Sequence, residues 1–195
     1  MSKDKIGGNI VDYFINVANL SDLEKRGSWD DAKKLLYELW LSNKDDAELA
    51  IRLGTECWYV LVEWELIEND NLCYESFNNT LREVTNYGLK RFKEDNKFLS
   101  IFGYMITTFP FLFGEDESYE ELGKSMLKNA YIKNPTNLIT KTLYLGSTSN
   151  IQEYILAIRE TVEKYDLNQL FKDSTAIEVY FKEVIFNIKN IVKLE

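Results

Sequence analysis

Apolar residues recur three and four positions apart along much of the chain, the spacing that lays one stripe down a helix. Ile151, Tyr154, Ile155, Ile158, Val162 and Tyr165 form one such stripe. Ile177, Phe181, Val184, Ile188 and Ile191 form another, and Tyr119, Leu122, Met126 and Ala130 share a third face. At the head of each stands a Ser or Thr with Glu or Gln three residues on: Ser118 with Glu121, Ser149 with Gln152, Thr175 with Glu178. Such a pair satisfies two backbone donors that a first helical turn otherwise leaves free, so three helices are expected to start there. Upstream, the pattern predicts helices near residues 8–19, 29–42, 45–68, 72–93 and 96–112, with Pro110 ending or kinking the last. Residues 59–66 are the ambiguous stretch, because they are rich in strand formers and partly alternate apolar with polar. A buried strand is the alternative there. The helix is preferred because no Asn-Gly or Asp-Gly turn lies nearby and the apolar pattern outruns an ordinary strand.

Two prolines and nine glycines in 195 residues leave little material for the turns a many-stranded fold needs, which moves the expectation to all-α: stacked antiparallel helices in a superhelix or an irregular bundle. With 45% hydrophobic and 28% charged residues, the chain reads as one folded domain over 1–195, without need of disulfides or metals. No histidine is present, which removes histidine triads, HExxH zinc sites and Glu-x-x-His di-iron sites and makes binding the default over catalysis. No secretory signal is visible, and the most apolar stretch, 98–113, is short for a bilayer span and carries Gly103 and Pro110. The expectation is a cytoplasmic protein with no membrane partner. Cys57 and Cys73 lack metal or redox spacing and are expected to be reduced thiols, and the glycosylation matches at Asn19 and Asn78 are read as accidental.

Three segments align as an internal repeat, 39–54, 88–103 and 130–146, the last with one extra residue. Each ends one predicted helix, turns through a polar Asn/Asp/Lys/Pro cluster and enters another with a large apolar residue just before glycine: Leu53-Gly54, Phe102-Gly103 and Leu145-Gly146. On these residues, and on Ala130 with Asn134-Pro135 as a repeat ending, the region 39–150 resembles a tetratricopeptide-like α-hairpin repeat protein, with residues 151–195 as a helical cap. The spacing exceeds the family's usual length, and Ala50, Leu99 and Thr142 stand where it has an aromatic. The resemblance implies a groove lined by the first helix of each repeat. Carried over residue by residue, it would present Glu48, Ile51, Thr55, Trp58 and Tyr59, then Lys97, Ser100, Tyr104 and Thr107, then Thr140, Leu143 and Ser147.

Charge sharpens the picture. Between Ser42 and Ser76 lie nine acids against Lys44 and Arg52, and Glu115, Asp116, Glu117, Glu120 and Glu121 follow without an intervening base, in a chain of net charge −9. Such a field repels nucleic-acid phosphates and anionic lipid and suits a basic protein or peptide. Glu56, Glu63 and Glu65 interleave with Trp58, Tyr59 and Trp64, a mixture able to anchor a basic partner. Together these readings give a partner-binding set of Glu48, Thr55, Glu56, Trp58, Tyr59, Glu63, Glu65 and Tyr104. The expected function is non-enzymatic protein recognition, in its most specific form an immunity or inhibitor protein masking a basic toxin or nuclease, and otherwise a peptide-binding scaffold. No nucleotide, serine-hydrolase or metal motif is present, and no cofactor is expected. The enzyme alternative is a carboxylate-based hydrolase using Glu56 and Glu63, seven residues apart.

Overall fold

The structure, a computed structural model, describes residues 13–68, 70–114, 118–171 and 175–185. The described chain is all-α: α1 (Leu20–Lys25), α2 (Trp29–Ser42), α3 (Ala47–Val62), α4 (Tyr74–Arg91), α5 (Asn96–Thr108), a 3-10 turn (Pro110–Leu112), α6 (Ser118–Lys133), α7 (Leu138–Gly146), α8 (Ile151–Lys164), α9 (Leu167–Leu170) and α10 (Ala176–Tyr180), which runs into a π-helical turn (Phe181–Ile185). Among the described residues no strand occurs. The ambiguous stretch stays helical to Val62 and then closes a turn, the N–H groups of Leu66 and Ile67 both donating to the Glu63 carbonyl at 2.8 and 3.1 Å. Pro110 ends α5 as expected and opens the 3-10 turn, where its missing N–H costs no helical bond.

The helix expected over 8–19 is a correction where it can be followed. Residues 13–18 form no helix, and Asn19, at φ 66°, holds the left-handed conformation that places the helix start at Leu20; the part before residue 13 lies outside the described residues. Of the three capping pairs, Thr175 accepts from the Glu178 N–H at 3.3 Å as read. At α8 the cap moves one residue, from Ser149 to Asn150, whose longer side chain accepts from the Glu153 N–H at 3.2 Å. Ser118 lies inside the first turn of α6.

The polar clusters of the sequence repeat fold as helix caps. Asp46 accepts from the N–H groups of Glu48 and Leu49 at 2.8 and 3.3 Å, Asp95 from Phe98 at 2.7 Å and Asn137 from Thr140 at 3.0 Å, so α3, α5 and α7 begin in the same way. Replacing Asp46 or Asp95 by Ala is expected to cost about 1 kcal/mol each, readable as a lower urea midpoint with unchanged slope. α3 packs between α2 and α4 and α7 between α6 and α8, while α5 packs on α6 and lies beside both α3 and α7. The repeated glycines sit where a neighbour comes closest: the Phe102 ring over Gly54, α6 against Gly103 at Gly123 and Leu127, and Tyr154 of α8 against Gly146.

Beyond α8 the chain does not continue the stack. The Tyr13 N–H donates to the Leu170 carbonyl at 3.1 Å, and α10 packs on α1 and α3, far back along the sequence. One apolar core therefore extends from Phe14 to Phe181. No helix of the described residues is long and apolar enough to cross a membrane.

Candidate functional site

Several of the residues that the resemblance assigns to a groove meet one another, because α3, α5 and α7 lie side by side. Glu48 of α3 pairs with Lys97 of α5 at 2.5 Å, and Ser100 of α5 meets Thr140 of α7 at 2.9 Å, hydroxyl to hydroxyl. Trp58 of α3 meets Tyr104 of α5 with ring centroids 5.9 Å apart. That face is covered by the chain itself. Trp58 is wholly buried, with Tyr180 at 5.2 Å, Phe109 at 5.8 Å and Phe181 at 6.3 Å. Tyr104 and Tyr59 are half-buried beneath the same two C-terminal aromatics, Tyr104 against Phe181 at 5.8 Å and Tyr59 against Tyr180 at 5.8 Å. Burial holds both phenols above their ordinary pKa.

Three expected contact residues therefore need correction. Thr55, Glu56 and Trp58 have no exposed surface. Thr55 spends its hydroxyl on the Ile51 and Arg52 carbonyls of its own helix, at 2.9 and 3.0 Å. Glu56 belongs to a buried charge cluster in which Arg52 bridges two carboxylates, donating to Glu56 one turn on at 2.8 Å and to Glu24 of α1. The second oxygen of Glu24 accepts the backbone N–H of Ala176 at 2.7 Å, which ties the start of α10 to the same cluster. The three side chains are at most 1% exposed, and Glu56 Oε1 has no hydrogen-bond partner among the described residues. Desolvation raises the Glu56 carboxyl to about 8, against the pull of Arg52 and with the help of the Glu24 charge. The sequence reading missed Glu24 and counted Arg52 as a minority base. Their signal was a charged pair at i, i+4 inside an otherwise apolar helix.

A catalytic carboxylate pair does not form at Glu56 and Glu63. Glu56 is sealed inside, and Glu63, at the end of the same helix, lies about 10 Å further along its axis.

The acidic segment that reads as one block in the sequence divides in two. At one end of the stack its acids are used: Asp45 pairs with Arg91 at 2.6 Å, Asp46 caps α3 and Glu48 pairs with Lys97. Glu94 with Lys133 and Lys141 with Glu160 continue this pattern between later helices. At the other end, in the connection between α3 and α4, Glu63, Glu65, Glu68 and Asp70 have no ion-pair partner among the described residues, and the sequence holds no Lys or Arg between Arg52 and Arg82. In their midst Leu66 is 83% exposed, and Trp64, half-buried, packs edge-on against Tyr74 at 5.1 Å. Leu66 was not among the expected contact residues, since one leucine in an apolar run gives no sign that it points outward. Comparison of the chain with protein-family models, with characterised proteins and with solved structures finds no match.

Proposed function

We propose that the protein is a non-enzymatic recognition module that docks a basic protein through the connection between α3 and α4. The observation that carries this reading is the clustering of charge: Asp45, Glu48, Glu94 and Glu160 are neutralised between helices, while Glu63, Glu65, Glu68 and Asp70 have no ion-pair partner among the described residues and gather around an exposed Leu66. Leu66 would supply desolvated contact area at the centre and the carboxylates a rim that steers a cationic surface into place. In its most specific form the partner is a basic toxin or nuclease that this cytoplasmic protein masks. Nucleic acid is a poor candidate for the same surface, because its phosphates would meet four unneutralised carboxylates.

The test is affinity capture from cells of the native host at low and moderate salt, followed by association kinetics on whatever basic protein is retained. The Glu63→Lys, Glu65→Lys, Glu68→Lys triple variant is expected to slow association at least about tenfold at low salt and to flatten its salt dependence. Leu66→Asp should act on dissociation instead. Unchanged kinetics in both variants would remove this surface from the binding site.

A further inference from the structure

Residues 177, 180 and 181 place Ile, Tyr and Phe at positions i, i+3 and i+4 of a short helical segment, the pattern by which an amphipathic helix seats in an apolar groove. Ile177 and Phe181 are buried, and Tyr180 lies over Trp58 and Tyr59. Phe181 closes the cluster against Tyr104 and Phe14, at 5.8 and 5.1 Å. The floor comes from α3 and α5, far away in sequence. From this geometry we infer that the face of α3 and α5 is a helix-binding groove occupied in cis by residues 175–185, and that its partner is a short helix carrying an aliphatic residue followed by aromatics three and four positions on.

Three observations make the occupant exchangeable rather than simply part of the core. First, the segment is not a regular helix: α10 has five residues and passes into a π-helical turn at Phe181–Ile185, a geometry that is rare and found frequently at functional sites. Second, the Trp58 Nε1 donor is buried without an acceptor among the described residues, which a partner carrying one suitably placed polar side chain would supply. Third, Tyr104 also walls a cavity of about 110 Å³ between α5, α6, α7 and α8, lined further by Thr107, Leu127, Thr142, Leu143 and Tyr154, so the same face offers room next to residues 175–185 for a longer helix. The groove is distinct from the acidic connection, and the two readings fail independently.

The Ala176 N–H given to Glu24 supplies a selective handle. Ala176 is the first residue of α10, where proline is tolerated, and Thr175 before it is already extended at φ −130°, ψ 156°. Ala176→Pro therefore deletes the tether to the buried cluster without breaking the helix. The full-length chain, unaltered and as Ala176→Pro or Phe181→Ala, would be titrated with a synthetic peptide of residues 170–190. Both variants are expected to bind it with 1:1 stoichiometry at least about tenfold more tightly than the unaltered chain, a difference of about 1.4 kcal/mol. The same peptide carrying Phe181→Ala should not bind. Hydrogen exchange on the unaltered protein supplies a check that does not depend on a variant folding: amides of residues 177–185 should open at lower free energy than those of α3 and α5. Exchange of these amides only together with α3 and α5, folded variants that ignore the peptide, or binding that survives loss of the peptide's phenylalanine would each overturn the inference.

Discussion

Replacing Gly123 by alanine is expected to destabilise the protein by about 3 kcal/mol, although in an isolated helix the same substitution stabilises by about 1 kcal/mol. The sign is reversed by what a methyl group would meet. A Cβ on Gly123 would lie 2.7 Å from the Thr107 backbone nitrogen and 2.9 Å from the Gly103 carbonyl oxygen, both on α5. Backbone inside a helix cannot swing aside, so α5 and α6 must separate, and those two helices share the most extensive packing among the described residues. At roughly 2–4 °C per kcal/mol for a chain of this size, the melting temperature should fall by roughly 6–12 °C. Gly54 and Gly88 should suffer less. Their obstacles are side chains, Phe102 over Gly54 and Phe98 over Gly88, although these two rings stack on one another at 4.2 Å and have little room to yield. A thermal melt of Gly123→Ala matching or exceeding the unaltered protein would show that α5 and α6 are not held this close.

The same glycines show how far the sequence could be read. Leu53-Gly54, Phe102-Gly103 and Leu145-Gly146 stand out as repeated pairs, and their spacing from Asp46, Asp95 and Asn137 is set by one local recipe: a capping side chain, then two turns of helix to a close approach. Periodicity and capping are local, which is why α2 to α6 and α8 were legible and why α1, only six residues long, was not; α7 was expected only as the helix entered by the third repeat segment. α3, α5 and α7 start alike and lie side by side. What covers them was not legible. Trp58 has the composition of a contact residue, and nothing near it in sequence says that Tyr180 and Phe181 will close over it from more than a hundred residues away. Charge misled for a related reason. Asp45, Glu48 and Glu63 look alike along the chain, yet the first two find cations on α4 and α5 only because α3 packs there.

Arg52→Met should be among the most damaging single changes in the molecule, costing about 3–5 kcal/mol near neutral pH. Methionine nearly matches the stem of arginine but supplies no charge and no donor, so Glu24 and Glu56 would remain buried together with the shared cation gone. The pH dependence identifies the cause. In the unaltered protein Glu56 is raised from 4.5 to about 8, so between those values the folded state binds a proton that the unfolded chain has released. Stability from this group is therefore fully present below about pH 4.5 and is lost as pH rises through about 8. Glu56→Gln keeps the shape, cannot ionise and should flatten that decline. Combined with Arg52→Met, it should recover part of the loss, most of all at the highest pH, because glutamine needs no proton to stay uncharged beside Glu24 once the cation is gone. Urea denaturation at pH 5, 7 and 8.5 on the two single variants and the double separates these effects. If Glu56→Gln retains the full decline with pH, and the two substitutions add without coupling, the buried cluster does not act as one unit, and the tie between α1, α3 and the start of α10 would have to come from the apolar contacts alone.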